Sequence, residues 1–275
     1  METLYIKKKG EPEISVTGNH EFAFLNLVRG TPQPKSNLYA PTGLDGQIQQ
    51  GDITFDLNTI QADFLINSNN LQELSLLEHK IYDIFSSRSS IRLRTSTEPA
   101  IVVNCYPQPF TLTRTDYAAR QFSVNFQNLT GFRQSIVKSD EVFKFDGKRQ
   151  IGLHLPTDKD YSYHFYNNDF DIYNPSDISI DPLRQRHDLT ITIKGSSTDQ
   201  IILTNTTTDE KFTYKKPLNE GETLILNGID PYLNSNHCGK DTDHGTISLN
   251  KGINTFNISG IDNPDITFSF PFLYF

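Results

Sequence analysis

Two rhythms of apolar and polar residues run along this chain, and they predict most of its elements. In residues 51–67, Ile53, Phe55 and Leu57 alternate with polar neighbours before Ile60, Ala62, Phe64 and Ile66 resume the same two-residue period. That spacing predicts one long half-buried strand, bent near Asn58. Immediately afterwards the period changes. Leu71, Leu74, Leu77, Ile81, Ile84 and Phe85 recur at intervals of three and four, which lines one face of a helix of about four turns. The helix is expected over about 70–87, with Asn70 as its cap, Glu73 answering as in a capping box and Arg88 near the negative end. Alternation then returns in short runs at 91–95, 100–106, 109–114 and 121–127, broken by Pro99, Pro107 and Thr115-Asp116. These read as antiparallel strands joined by turns.

Between Gly30 and Gly51 the pattern fades into Pro32, Pro34, Pro41, Gly43 and Asp45-Gly46. A connection of about 20 residues is uncommon inside a domain, so it is read as a functional arm or a disordered excursion. A second change of character comes at 139–147. Beyond it, short strands are expected at 189–194, 201–205, 211–215, 223–226, 246–249, 255–259 and 266–270, separated by turn clusters such as Gly195-Ser196-Ser197 and Asn250-Lys251-Gly252. Many short strands without a helical period between them indicate a β-sandwich. The fold class is therefore mainly β, with domains over 1–139 and 140–275.

Composition adds limits. The chain has 275 residues, enough for two domains, and a net charge of −8, which argues against a phosphate-binding surface as its main business. Residues 1–140 hold 13 Lys and Arg against 14 Asp and Glu, whereas 141–275 hold 12 against 19. The acidic excess thus belongs to the carboxyl half. Cys105 and Cys238 are too few for a disulfide scaffold and too far apart for a zinc motif, and read as buried or incidental thiols in a reducing compartment. No run approaches the roughly 18 apolar residues of a membrane span, and the amino terminus does not read as a secretory signal.

Candidate chemistry is sparse. The stretch Asn236 to His244 offers imidazole, thiol and carboxylate groups, but its spacing matches no zinc or calcium loop and a solvated hairpin loop is the alternative. Tyr161, Tyr163, Phe165, Tyr166, Phe170 and Tyr173 are either a platform for sugar rings or strand-face filling. Arg88, Arg92 and Arg94 either meet an acidic neighbour or lie on the wet face of a strand. No nucleophile elbow, P-loop, zinc-protease motif or dinucleotide fingerprint occurs. Carboxylate pairs such as Asp169 and Asp171 exist, but a glycosidase depends on their spatial separation. No catalytic residue, cofactor or metal ligand is therefore expected.

Laid in order, the segments resemble the distal tail protein (Dit) family of siphophages that infect Gram-positive bacteria. In the amino half the resemblance rests on Gly43-Leu44-Asp45-Gly46, the strand GDITFDLN, the helix LQELSLLEHKIYDIF, IRLRT, VVNCYPQPFTLTR and QFSVNFQN. In the carboxyl half it rests on Asn174-Pro175, Asp181-Pro182, LTITIKG, IILTNTTTDEKFTY, LNEGETLILNG, ISLNKGINTFNISG and ITFSFPFLYF. The resemblance implies a structural virion protein without enzymatic activity. Its amino-terminal belt domain would form a ring of six copies, followed by an outward galectin-like or carbohydrate-module-like β-sandwich. The implied partners are further copies of itself, the tail tube protein, the tail-tip or tail-associated lysin protein and receptor-binding proteins, with DNA only in passage. The implied location is the virion tail, assembled in the host cytoplasm without a membrane anchor. On this reading Pro32, Pro34, Leu38, Tyr39, Pro41 and Leu44 belong to an arm that reaches a neighbouring subunit, and Tyr161, Tyr163 and Tyr166 form a surface for a partner or glycan. The alternative is a freestanding carbohydrate-binding module for cell-wall glycans.

Overall fold

A computed structural model describes residues 2–16, 22–141, 153, 155 and 161–275. It divides into two units, residues 1–133 with Phe275 and residues 134–274. The division falls at 133/134, whereas patterning places it at 139/140.

The first unit contains β1 (Leu4–Lys7), β2 (Ile14–Ser15), β3 (Phe22–Arg29), β4 (Gln33–Tyr39), β5 (Ile48–Asp56), β6 (Asn58–Asn67), α1 (Leu71–Phe85), β7 (Ile91–Thr95), β8 (Ile101–Pro107), β9 (Thr113–Asp116) and β10 (Ala119–Asn128). Its main sheet runs β2-β1-β7-β8-β10-β6-β3, with β9 alongside β10. Alternation decides what this sheet buries. Ile60, Ala62, Phe64 and Ile66 of β6 face the core together with Phe122, Val124 and Phe126 of the antiparallel β10. Helix α1 lays Leu74, Ile81, Ile84 and Phe85 into the same core, and the Phe85 ring sits 5.1 Å from that of Phe64. At the helix start, Oδ1 of Asn70 accepts from the backbone N–H groups of Gln72 and Glu73, as the cap residue predicts. Glu73 reaches one residue further back than in a capping box and accepts from the N–H of Asn69.

The strand expected over 51–67 is two strands. The chain breaks at Leu57, and β5 leaves the sheet to pair with β4 in a separate two-stranded ribbon. Ile53 and Phe55 therefore alternate without a core to fill, and every residue of β4 and β5 is exposed.

The second unit contains β11 (Arg133–Lys138) except for its first residue, β12 (His164–Phe165), β13 (Asp169–Asn174), β14 (Thr190–Ser196), β15 (Ile201–Asn205), β16 (Glu210–Tyr214), β17 (Leu224–Asn227), β18 (Asp230–Leu233), β19 (Asn236–His237), β20 (Gly252–Ser259), β21 (Asp262–Ser269) and β22 (Pro271–Tyr274). One sheet runs β12-β21-β14-β17-β18-β19 and another β13-β20-β15-β16, while β11 pairs with β22. The two sheets meet face to face. Phe256 of β20 and Phe268 of β21 approach to 5.0 Å between ring centres, and Phe170 of β13 lies 6.0 Å from Phe268. This is the expected sandwich. Its buried polar residues are paired: Asn254 accepts from the N–H of Asn250 and donates to the carbonyls of Asn250 and Gly252, while Asn205 donates to the carbonyl of Ser248. The strand expected at 246–249 is reduced to a single bridge from Leu249 to Ile180. Its backbone is engaged otherwise: the N–H of Ser248 donates to the Glu210 carboxylate, and Gly245 lies so close to the Lys211 carbonyl that a Cβ would sit 2.0 Å from it.

Candidate assembly surfaces

The ribbon of β4 and β5 is the feature of the first unit that its own core does not explain. Pro34, Leu38 and Tyr39 lie on β4, Pro32 just ahead of it, and Pro41 and Leu44 in the loop that joins it to β5. Gly43 and Gly46 turn that loop with φ of +86° and +84°, a left-handed conformation that favours glycine. Leu38, Tyr39 and Leu44 are 57%, 53% and 62% exposed. The structure adds Ile48 and Ile53, 52% and 49% exposed, which patterning assigns to a buried strand or leaves unread. The overlooked signal is the Asp45-Gly46 turn between two runs, which reads as a hairpin. A lone two-stranded ribbon is marginal in water, and its unpaired strand edges invite another chain.

The root of the ribbon is built tightly. Gly131, at φ +73°, presses on the end of β5, where an added Cβ would lie 2.7 Å from the Asp56 carbonyl. Asn58 donates from Nδ2 to the Gly30 carbonyl at 3.3 Å, joining the two ends of the excursion.

Of the basic run, Arg92 and Arg94 converge on Glu13, with Nη2 to carboxylate distances of 2.9 and 2.6 Å, and Arg94 also lies over the Tyr5 ring. Arg88 stands apart and exposed. Burial alone would raise the Glu13 carboxyl, but the hydrogen bonds from Arg94 and Arg92 outweigh it and hold the group below its ordinary value. A carboxyl lowered by folding stabilises fully above its unfolded pKa, and that contribution is lost as pH falls through the folded value. Glu13→Gln is expected to destabilise the first unit at pH 7 by about 1–3 kcal/mol. In urea titrations between pH 7 and 3 the variant and the parent should converge at the acid end.

In the second unit the aromatic candidates do not form one surface. Tyr163 is 3% exposed, packs against Phe270 and Phe272, and donates its hydroxyl to the Tyr173 carbonyl at 2.8 Å. It is a core residue, because its ring, one position ahead of β12, packs inward against Phe270 and against Phe272 of β22. Tyr161 stacks on Tyr173 at 4.5 Å between ring centres, and Tyr166 stands alone at 69% exposure. The Asn236–His244 stretch runs from β19 into a loop whose polar groups bind backbone and side chains of the loop and of the chain around β16. Asp243 accepts from the N–H groups of Thr213 and Gly245, Lys216 pairs with Asp241, and Cys238 is buried. Burial would raise Asp243, but these bonds hold its carboxyl down. Cys105 is buried as well, and burial pushes its thiol up. Among the described residues no three His, Cys, Asp or Glu side chains converge to hold a metal, and no helix is long and apolar enough to cross a membrane.

The first unit thus presents a sheet with an exposed ribbon and the second a sandwich, and known proteins resemble the chain. Residues 17–128 match the phage tail protein RIFT-related domain. Over the whole length, the fold matches the crystal structure of the SPP1 Dit protein (gp 19.1), described as a paradigm of the hub adsorption apparatus in Gram-positive-infecting phages. That match has a TM-score of 0.69 and 11% identity and covers 99% of each chain. A chain of the phage P2 baseplate in its activated conformation with Ca aligns at 12% identity over 98% of each chain with a TM-score of 0.45. No curated protein matches. Residues 17–128 are thus similar to a domain of phage tail proteins, and the chain shares the fold of the SPP1 Dit protein. The matching family and structures are tail and hub components, not enzymes.

Proposed function

We propose that this protein is the distal hub of a phage tail: a ring of six copies closed through the first unit, with the sandwich directed outward. The observation that carries the reading is the pairing of a distal-tail fold over the full length with a ribbon whose large apolar residues have no core to enter. A ring needs a heterologous contact that closes by rotation, and a ribbon from one copy resting on the next supplies one. The ring would join the tail tube to the tail-tip or lysin protein, and the acidic, galectin-like sandwich would anchor receptor-binding proteins. A belt of nearly balanced charge over 1–140 suits a passage for DNA, since it offers phosphate little net attraction. The virion tail, assembled in the host cytoplasm, is the corresponding location. The glycan-module alternative loses the continuous aromatic platform on which it depended, since Tyr163 lies inside the sandwich.

Light scattering on the full chain tests this reading. The expected mass in the assembled fraction is six times the 31.3 kDa of one chain. A mass that stays at one chain as concentration rises contradicts it.

A further inference from the structure

Two chains of contact meet at the root of the ribbon, one for each of its strands. On the β5 side, the Phe55 ring lies 5.4 Å from Phe132 and 5.3 Å from Phe275, both edge-on at 78° and 62°, and Phe132 and Phe275 close the triangle at 5.9 Å. Edge-to-face rings at these distances attract beyond the area they bury. On the β4 side, Arg29 ends β3 and binds Glu98 at 2.6 Å. Arg133 joins the two sides. Its Nη1 donates to both oxygens of Glu98 at 3.0 and 3.1 Å, and its Nε and Nη2 donate to the Phe275 carbonyl at 2.8 and 2.5 Å. The path Arg29, Glu98, Arg133, Phe275, Phe55 therefore runs from the entry of the ribbon to its exit.

We infer that Phe275 is a positioning residue for the arm: held by Arg133, it wedges against Phe55 and fixes the direction in which the β4–β5 ribbon leaves the first unit. Phe275 is 44% exposed and Phe55 36%, so this contact is too open to be a main support of the core. Its effect is geometric. A strand of this length spans roughly 20 Å, and an angular play of about 15° at the root would move the tip by about 5 Å. Docking on a neighbour cannot tolerate that freedom without an entropic cost. The importance of this residue for assembly rests on the arm reading above; its control of the ribbon does not.

The test is hydrogen exchange of the full chain, the Phe275→Ala, Phe275→Tyr and Arg133→Lys variants, each at a concentration where it sediments as a single copy. In Phe275→Ala and Arg133→Lys, amides of β4 and β5 should exchange about tenfold faster, while those of β6 and β10 stay unchanged. Phe275→Tyr, which keeps the ring, should behave as the parent. Unchanged exchange of the ribbon in Phe275→Ala overturns the inference and leaves the arm reading intact. Sedimentation at assembling concentrations separates the two: faster ribbon exchange with undiminished assembly supports the wedge and contradicts the arm.

Discussion

Replacing Leu38, Tyr39, Ile48 and Ile53 together with serine is expected to leave a stably folded protein that no longer assembles. These four side chains are about half exposed in the single chain, so their removal takes nothing from the buried core. Covering the exposed half of each by a neighbour is worth about 1–1.5 kcal/mol, which makes about 4–6 kcal/mol per contact. Every 1.4 kcal/mol is tenfold, so each contact weakens by roughly a thousandfold or more. Analytical ultracentrifugation over a range of concentrations reads the loss, and a urea midpoint equal to that of the parent shows that folding is untouched. Assembly equal to the parent's contradicts the role given to the ribbon.

Phe64→Ala carries the second large effect, and it falls on folding. The Phe64 ring is fully buried and lies within 5.1 to 5.7 Å of Phe22, Phe24, Phe85 and Phe122, so it ties β3, α1 and β10 to β6. Truncating such a ring costs about 3–5 kcal/mol through lost transfer energy and the cavity left behind. A domain commonly has about 5–15 kcal/mol in all, so much of the first unit's stability goes with it. Hydrogen exchange should show protection lost in β6, β10 and α1 and kept in β14, β20 and β21. Retained protection in β6 would show that the aromatic cluster is not the main support of this unit.

The elements that bury a face were legible in the sequence. β6 and α1 carry enough inward residues that periodicity finds them, and Asn70 marks the helix start by a hydrogen bond its side chain makes locally. The sandwich was legible from short alternating runs and their turns. What failed was partner assignment. Alternation at Ile53 and Phe55 states that one face of a strand is apolar, and cannot state whether a core or another molecule will cover it. The same ambiguity misplaced Tyr163: an aromatic at an alternating position reads equally as platform or filling, and only the position of Phe270 and Phe272 decides for filling. Patterning also could not show that a Glu210 side chain would take the backbone partner at Ser248 and reduce the strand at 246–249 to a bridge. The Phe55, Phe132 and Phe275 contact joins residues too distant in sequence for any local pattern to connect.

Negative-stain electron microscopy of the purified full chain at assembling concentration tests the central claim most directly. Class averages with sixfold rotational symmetry are the predicted result, with densities for the second unit on the outside of the ring. Particles that remain single chains, or that join without rotational closure, would contradict it.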